Sequence, residues 1–169
     1  MSAMHVLVTG ATGFIGSHLV RRLVQDGHQV RILARRPHGD EPSGEQPVDI
    51  VAGDVTDQAV VDRAVQGVET VFHLAGAFNH VRSEDEYHRT NVEGTRHVVE
   101  AALRFRVGRL VHCSTCGVHG PTVNGATTED SPFAYRPWNT YEATKAEGER
   151  LVLRAAAERG LPAAIVRPA

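Results

Sequence analysis

Thr9-Gly10-Ala11-Thr12-Gly13-Phe14-Ile15-Gly16 is the stretch that decides how the rest of the chain is read. It follows a short β-rich run, His5-Val6-Leu7-Val8. It opens a segment, residues 14–26, in which Ile15, Leu19 and Leu23 recur four apart with Val20 and Val24 beside them, the spacing of one helical face. A glycine-rich turn between a strand and a helix can hold an anion, because the N–H groups of the first helical turn point at it and the helix dipole favours negative charge. Gly10 permits the tight turn, Gly13 removes a side chain that would block a diphosphate, and Gly16 lets the helix lie close to the sheet. Thr12, Phe14 and Ile15 belong to the same turn and helix start and count with it as binding positions.

Working outward, strand-like runs alternate with amphipathic stretches. Residues 29–33 read as a second strand, 37–47 as a Pro/Gly-rich loop and 48–52 as a third strand. Residues 57–65 read as a helix capped by Thr56, and 70–74 as a fourth strand. Ser83-Glu84-Asp85-Glu86 is a capping box before a helix that reaches about Phe105. A fifth strand follows at 109–113, a long surface loop at 117–138, a helix at 139–159 with Asn139 and Glu142 as candidate caps, and a sixth strand at 163–166. Strands separated by helices predict right-handed crossovers and an α/β, doubly wound parallel sheet of order 3-2-1-4-5-6. No internal repeat or boundary interrupts residues 1–169, so one domain is expected.

Composition narrows the function classes. With 41% hydrophobic and 22% charged residues the chain is an ordinary globular sequence, and a net charge of −2 gives nucleic acid or an anionic membrane no purchase. No apolar run is long enough to span a bilayer, and the N-terminus runs into a strand without a signal-peptide core, so a cytoplasmic protein is expected. The two cysteines, Cys113 and Cys116, lack the second ligand pair a structural zinc needs, and the ten histidines form no helical ligand pair. No metal site is expected; the thiols read as reduced residues at a strand end.

The spacing Gly-x-x-Gly-x-x-Gly resembles that of the extended short-chain dehydrogenase/reductase family, the NAD-dependent epimerase/dehydratase group. Further marks are Gly53-Asp54-Val55, His73-Leu74-Ala75-Gly76, Asn91-Val92-Glu93-Gly94-Thr95, the segment from Ser114 to Gly120, Tyr141 to Lys145, and Arg167-Pro168, which together cover nearly the whole chain. The resemblance implies a Rossmann-like cofactor domain. It also implies that Asp54 accepts from the adenine amino group beside Val55, that Leu74, Ala75 and Gly76 run past the diphosphate and nicotinamide ribose, and that Pro168 contacts the carboxamide. Asn91 is then expected to hold a backbone carbonyl, bend its helix or support a water chain to the lysine. For His73 a satisfied strand histidine is the better reading.

The second strand ends at Ile32-Leu33-Ala34-Arg35-Arg36, without the acid that usually holds the ribose of NAD. An arginine fork suits a 2′-phosphate, which places NADP ahead of NAD; solvated arginines, or Arg35 stacked on adenine with NAD bound, are the alternatives. Tyr141 and Lys145, four apart on one helical face, suit a phenol whose charged form is favoured by a neighbouring ammonium and which exchanges a proton with a substrate hydroxyl or carbonyl. On the family pattern Thr115 is the hydroxyl that shares that proton, with Ser114 as fallback. Sugar-nucleotide 4,6-dehydratases of the family carry an Asp-Glu pair after this threonine; here stand Cys116 and Gly117, so elimination by that route is not expected. His119 replaces the usual tyrosine, either filling its space or touching substrate.

The expected activity is hydride transfer at a carbinol or keto carbon, of a nucleotide sugar on the resemblance. Reduction of a non-sugar ketone or aldehyde and a non-catalytic dinucleotide sensor are the alternatives. Arg35 tilts the balance towards a reductase, because NADPH is a net reductant whereas an epimerase recycles its cofactor. Family members continue past Arg-Pro into a seventh strand and a smaller substrate domain, so reduced cofactor affinity and weak or absent turnover are expected of residues 1–169 alone. The resemblance also suggests a homodimer.

Overall fold

The computed structural model describes residues 3–35, 48–78, 83–121 and 125–169. The expected loop 37–47 and Arg36 lie outside them. Six parallel strands, β1 (His5–Thr9), β2 (Gln29–Ala34), β3 (Asp49–Ala52), β4 (Thr70–His73), β5 (Arg109–Cys113) and β6 (Ala163–Val166), form one sheet of order β3-β2-β1-β4-β5-β6, as expected. The register sets Thr9 beside Leu33 and His73, and His73 beside His112, so the carboxyl ends of the central strands finish level. That edge is where a doubly wound sheet binds ligands, on either side of the point where the strand order reverses.

The strands are apolar at successive positions because both faces are covered. Val6, Val8, Val30 and Ile32 pack with Val20, Leu23 and Val24 of α1 (Phe14–Gln25) on one face. Leu7, Leu33, Val71 and Leu110 pack on the other with residues of α2 (Gln58–Val65), of the helix at Gly94–Arg104, and of the C-terminal helix at Thr140–Arg159. Among the described residues no helix is long and apolar enough to cross a membrane, and no group of three or more His, Cys, Asp or Glu is placed to hold a metal ion.

Several local expectations shift. The cap of α2 is Asp57, not Thr56: its carboxylate accepts from the N–H groups of Ala59 and Val60. The helix expected from Ser83 does begin there, with the Ser83 hydroxyl accepting from the Glu86 N–H. It is not uniform, however. It runs as α3 (Glu84–Tyr87), a π-helical segment (His88–Glu93) and α4 (Gly94–Arg104). Such a wide turn re-aims the side chains it carries, and π segments frequently mark functional sites. At the start of the expected loop 117–138 a 3₁₀ turn forms at Cys116–His119, capped by Thr115, whose hydroxyl accepts from the Gly117 N–H at 3.3 Å. In α5 (Thr140–Arg159) the cap is Asn139, which accepts from the Glu142 N–H at 3.2 Å; the Glu142 carboxylate turns away to Arg136.

Candidate active site

The turn after β1 is shaped by backbone packed on backbone. Gly10 has φ +71°, and a Cβ there would lie 2.6 Å from the Ala75 nitrogen, so the turn presses on the end of β4. A Cβ on Gly16 would overlap the Gly10 carbonyl oxygen and lie 2.8 Å from the Ala11 Cα; the close approach is to the turn itself rather than to the sheet. Gly13 is different. It is extended (φ −78°, ψ 172°), and a Cβ would meet only the Gly10 oxygen at 3.3 Å, so the space beyond it is open. No side chain caps α1 and its first turn holds no acid, which leaves its first N–H groups directed outward for an anion. The expected roles of Phe14 and Ile15 reduce to these N–H groups. The Phe14 side chain is 83% exposed and packs on His18, and Ile15 is also exposed.

From the turn a cleft of about 390 Å³ runs across the carboxyl edge. Of the expected contacts, Gly10, Thr12, Gly13, Arg35, Asp54, Val55, Leu74, Ala75 and Gly76 line it. At one end the Arg35 Nε lies 3.9 Å from an Asp54 carboxylate oxygen, an acid near the arginine that linear position does not reveal. At the other end Ala77, Phe78, Glu86 and Thr90 join the lining; of these the sequence marks only Glu86, and only as part of a helix cap. Phe78 is 60% exposed and Thr90 lies on the π-helical segment.

Beneath the cleft lies a buried polar layer. Asn91 holds the backbone of Ala77 from both sides: its Oδ1 accepts from the Ala77 N–H at 2.7 Å and its Nδ2 donates to the Ala77 carbonyl at 3.2 Å and to Thr144 at 3.1 Å. Of the three expected roles, this is the carbonyl-holding one, and the helix is π-helical at that point. A Cβ on Gly76 would lie 3.3 Å from Asn91 Oδ1 and 3.8 Å from Lys145 Nζ, so Gly76 joins the cleft to the lysine. His73 is satisfied, as expected, by Thr9 and Thr95.

Tyr141, Thr115 and Lys145 converge from α5 and the strap after β5. The Thr115 side chain stands close enough to the Tyr141 phenol to favour its charged form. The Tyr141 ring meets Phe78 edge-on at 4.8 Å and Tyr87 at 6.3 Å, which places it at the Phe78 end of the cleft. Lys145 is buried and donates to the Cys113 carbonyl at 2.6 Å. The expected lowering of the phenol by this ammonium is not what the protein's own groups produce. Burial pushes the Tyr141 phenol up, the Thr115 side chain opposes it, and the nearby Cys113, Cys116 and Tyr87 push further up. Burial likewise lowers Lys145, against the opposing pull of Cys113 and Glu149. Ser114 does not join the constellation: its N–H donates to the Val166 carbonyl at 2.8 Å, and its hydroxyl is buried without a partner among the described residues.

Two ion pairs brace this edge. The Glu142 carboxyl is lowered by Arg136, which donates to it from side chain and backbone. A Cβ on Gly117 would stand 3.1 Å from the Glu142 Cγ. A carboxylate therefore neighbours the position where dehydratases carry an acid, but its ion pair keeps it deprotonated. Glu149, fully buried, receives the Arg167 guanidinium through Nε at 3.1 and 3.2 Å. Pro168 accepts from the Cys116 N–H at 3.0 Å, so its backbone sews the end of β6 to the strap. His119 is buried, with Nδ1 3.2 Å from the Pro132 carbonyl and its ring stacked on Phe133, which favours the space-filling role.

Comparison with known proteins agrees with this geometry. The NAD dependent epimerase/dehydratase family matches residues 6–169. Sterol demethylase protein B of Methylococcus capsulatus is 40% identical over 98% of this chain and 51% of its own length. The 2-alkyl-3-oxoalkanoate reductase of Stenotrophomonas maltophilia is 39% identical over 98% and 50%. DesIV, a dTDP-glucose 4,6-dehydratase from Streptomyces venezuelae solved with NAD bound, superposes with a TM-score of 0.87 at 31% identity, covering 97% of this chain and 55% of its own. The chain thus spans about half the length of the relatives it matches.

Proposed function

Because the chain belongs to the NAD-dependent epimerase/dehydratase family, we propose that its cleft holds the diphosphate of a nicotinamide dinucleotide and that its Thr115/Tyr141 pair handles the hydroxyl proton of a carbinol or keto substrate. The observation that carries this is the continuity of one cleft from the open face of Gly13 to Phe78, whose ring touches the phenol paired with Thr115. The cradle fits a diphosphate: a Cβ at Gly13 would project into otherwise open space beside uncapped helix N–H groups. Bound there, the dinucleotide supplies a hydride acceptor or donor. Asp54 and Val55 would border the adenosine end, and Leu74 to Gly76 the ribose end.

Tyr141 is the proton partner and Thr115 the hydroxyl through which the proton is shared. Burial holds the phenol protonated, which suits protonation of a carbonyl oxygen as it is reduced. Lys145, anchored by Cys113, stands next to Gly76 and is placed to meet the ribose. Between the two dinucleotides we place NADP first, on Arg35 alone. Asp54 at 3.9 Å and the NAD bound to DesIV argue the other way. Titration with both settles the order, and Arg35→Ala erases an NADP preference where one exists.

The substrate side favours an apolar alcohol or ketone. The groups that touch or perturb the Tyr141 phenol among the described residues are Thr115, Phe78, Tyr87 and the two cysteines, with Glu86 the one carboxylate in the cleft lining at that end. The two relatives near 40% identity are named for sterol and alkyl-oxoalkanoate chemistry. A nucleotide sugar, as in DesIV, is the second reading. The test is Tyr141→Phe in this chain and in a version extended to the length of its relatives, assayed on both substrate classes. Turnover should fall by about 10²–10⁴ with cofactor binding kept. Unchanged turnover removes Tyr141 from the chemistry, and dinucleotide binding without turnover, unaltered by Tyr141→Phe, points instead to a dinucleotide sensor.

A further inference from the structure

The hydrogen bonds around His73 have only one consistent set of proton positions. Thr95 Oγ1 donates to the Asn91 backbone carbonyl at 2.7 Å, which uses its single proton. The His73 Nε2, 3.0 Å from the same oxygen, must therefore carry a hydrogen and donate it. His73 is fully buried, and burial with the nearby Lys145 charge holds it down to about 3, so the ring is neutral and Nδ1 is bare. Thr9 Oγ1, 2.8 Å away, then donates to Nδ1 and accepts from the Ala75 N–H at 3.2 Å. One directed chain results: Ala75 N–H to Thr9, Thr9 to His73, His73 to Thr95, Thr95 to the Asn91 carbonyl.

Its two ends are functional. Ala75 forms the wall against which the Gly10 turn presses, and Asn91 grips Ala77 at the far end of the same wall while contacting Thr144, the neighbour of Lys145. We propose that His73, as a neutral Nε2–H imidazole, is a positioning residue that locks the diphosphate turn and the Asn91–Lys145 end of the cleft into one register. It touches neither cofactor nor substrate; it sets the distance between the two groups that do. No acid opposes this state among the neighbours named here: the other imidazole, His112, lies 5.4 Å away ring to ring and is also pushed down by burial, and Lys145 is a cation.

The inference rests on the cofactor reading above, and its test separates the two. In the wild-type chain, nitrogen-15 NMR of His73 should show the Nε2–H tautomer, unprotonated at Nδ1, at pH 7 and still at pH 5.5. NADH and NADPH titrations are then compared across wild type, His73→Asn and His73→Leu, with near-UV circular dichroism reporting the fold. His73→Leu removes both bonds and should weaken dinucleotide binding by about tenfold, the size of a lost buried hydrogen bond. His73→Asn keeps an acceptor for Thr9 and should recover part of it. An Nδ1–H tautomer, an imidazolium at pH 5.5, or a folded His73→Leu chain that binds like wild type overturns the inference and leaves the cofactor reading standing. A wild-type chain that binds neither dinucleotide overturns the cofactor reading, whatever the tautomer. If His73→Leu does not fold, His73→Asn binding equal to wild type is the overturning result.

Discussion

Between β1 and α1 the site is made of backbone; between β5 and α5 it is made of side chains. On the first side, Gly10 and Gly16 let main chain approach main chain, and the surface offered to a ligand is a row of N–H groups. On the second side, Thr115 from the strap after β5 meets Tyr141 and Lys145 of α5, and the group is braced by Arg136–Glu142, Arg167–Glu149 and Asn91. The backbone half can fail only by steric overlap, which no distant change relieves. The side-chain half fails by leaving a buried charge or donor alone, which a second change can repair.

The largest difference between the halves should appear at Arg167. Arg167→Met strands the fully buried Glu149 and should cost about 3–5 kcal/mol in urea denaturation. Arg167→Met with Glu149→Leu should recover most of that, because a packed apolar pair replaces the ionic one. A double variant as unstable as the single one would break the contrast. Gly16→Val, on the backbone side, should cost about 3 kcal/mol. The same Glu149→Leu background should not relieve it, and full additivity is the readout.

A smaller effect should follow from pH. His73 and His112 are buried and held neutral in the fold, with the Lys145 charge adding to burial in both cases. Unfolded histidine titrates near 6.5. At pH 7.5 neither state binds these protons. Below about 6.5 the unfolded chain takes up protons that the folded chain refuses, so each such imidazole removes about 1.4 kcal/mol of stability per pH unit. Denaturation at pH 7.5 and 5.5 should differ by about 3 kcal/mol, and His112→Phe should halve the difference. Flat stability across this window contradicts the neutral pair. The smallest effect is at the α2 cap, remote from both halves: Asp57→Ala should cost about 1 kcal/mol, and Thr56→Ala much less.

How much of this was legible in the sequence follows the same division. The glycine turn, all six strands and their order could be read because local spacing and apolar runs dictate them. The cleft lining from Gly10 to Gly76 could be read because it follows strand ends. The π-helical segment His88–Glu93 could not, since the helical period continues through it. Thr56 and Asp57 are both good caps one residue apart, and only the chain's entry angle selects Asp57. The Arg167–Glu149 pair joins residues 18 apart, and the partners of His73 lie 64 and 22 residues away. Such contacts are products of the fold and leave no periodic trace. The setting of Ser114 is likewise a product of the fold: its N–H is taken by the Val166 carbonyl at the end of β6, while its buried hydroxyl has no partner among the described residues.

Gly13 offers the most direct measurement, because its Cβ would harm a ligand far more than the fold. Calorimetric titration of NADPH and NADH into the wild-type chain and into Gly13→Val should show one-to-one binding by the wild type. The variant should keep a wild-type circular dichroism spectrum and lose at least about tenfold in affinity. A folded Gly13→Val chain that binds either dinucleotide as tightly as wild type, or a wild-type chain that binds neither, would contradict a diphosphate site at the start of α1.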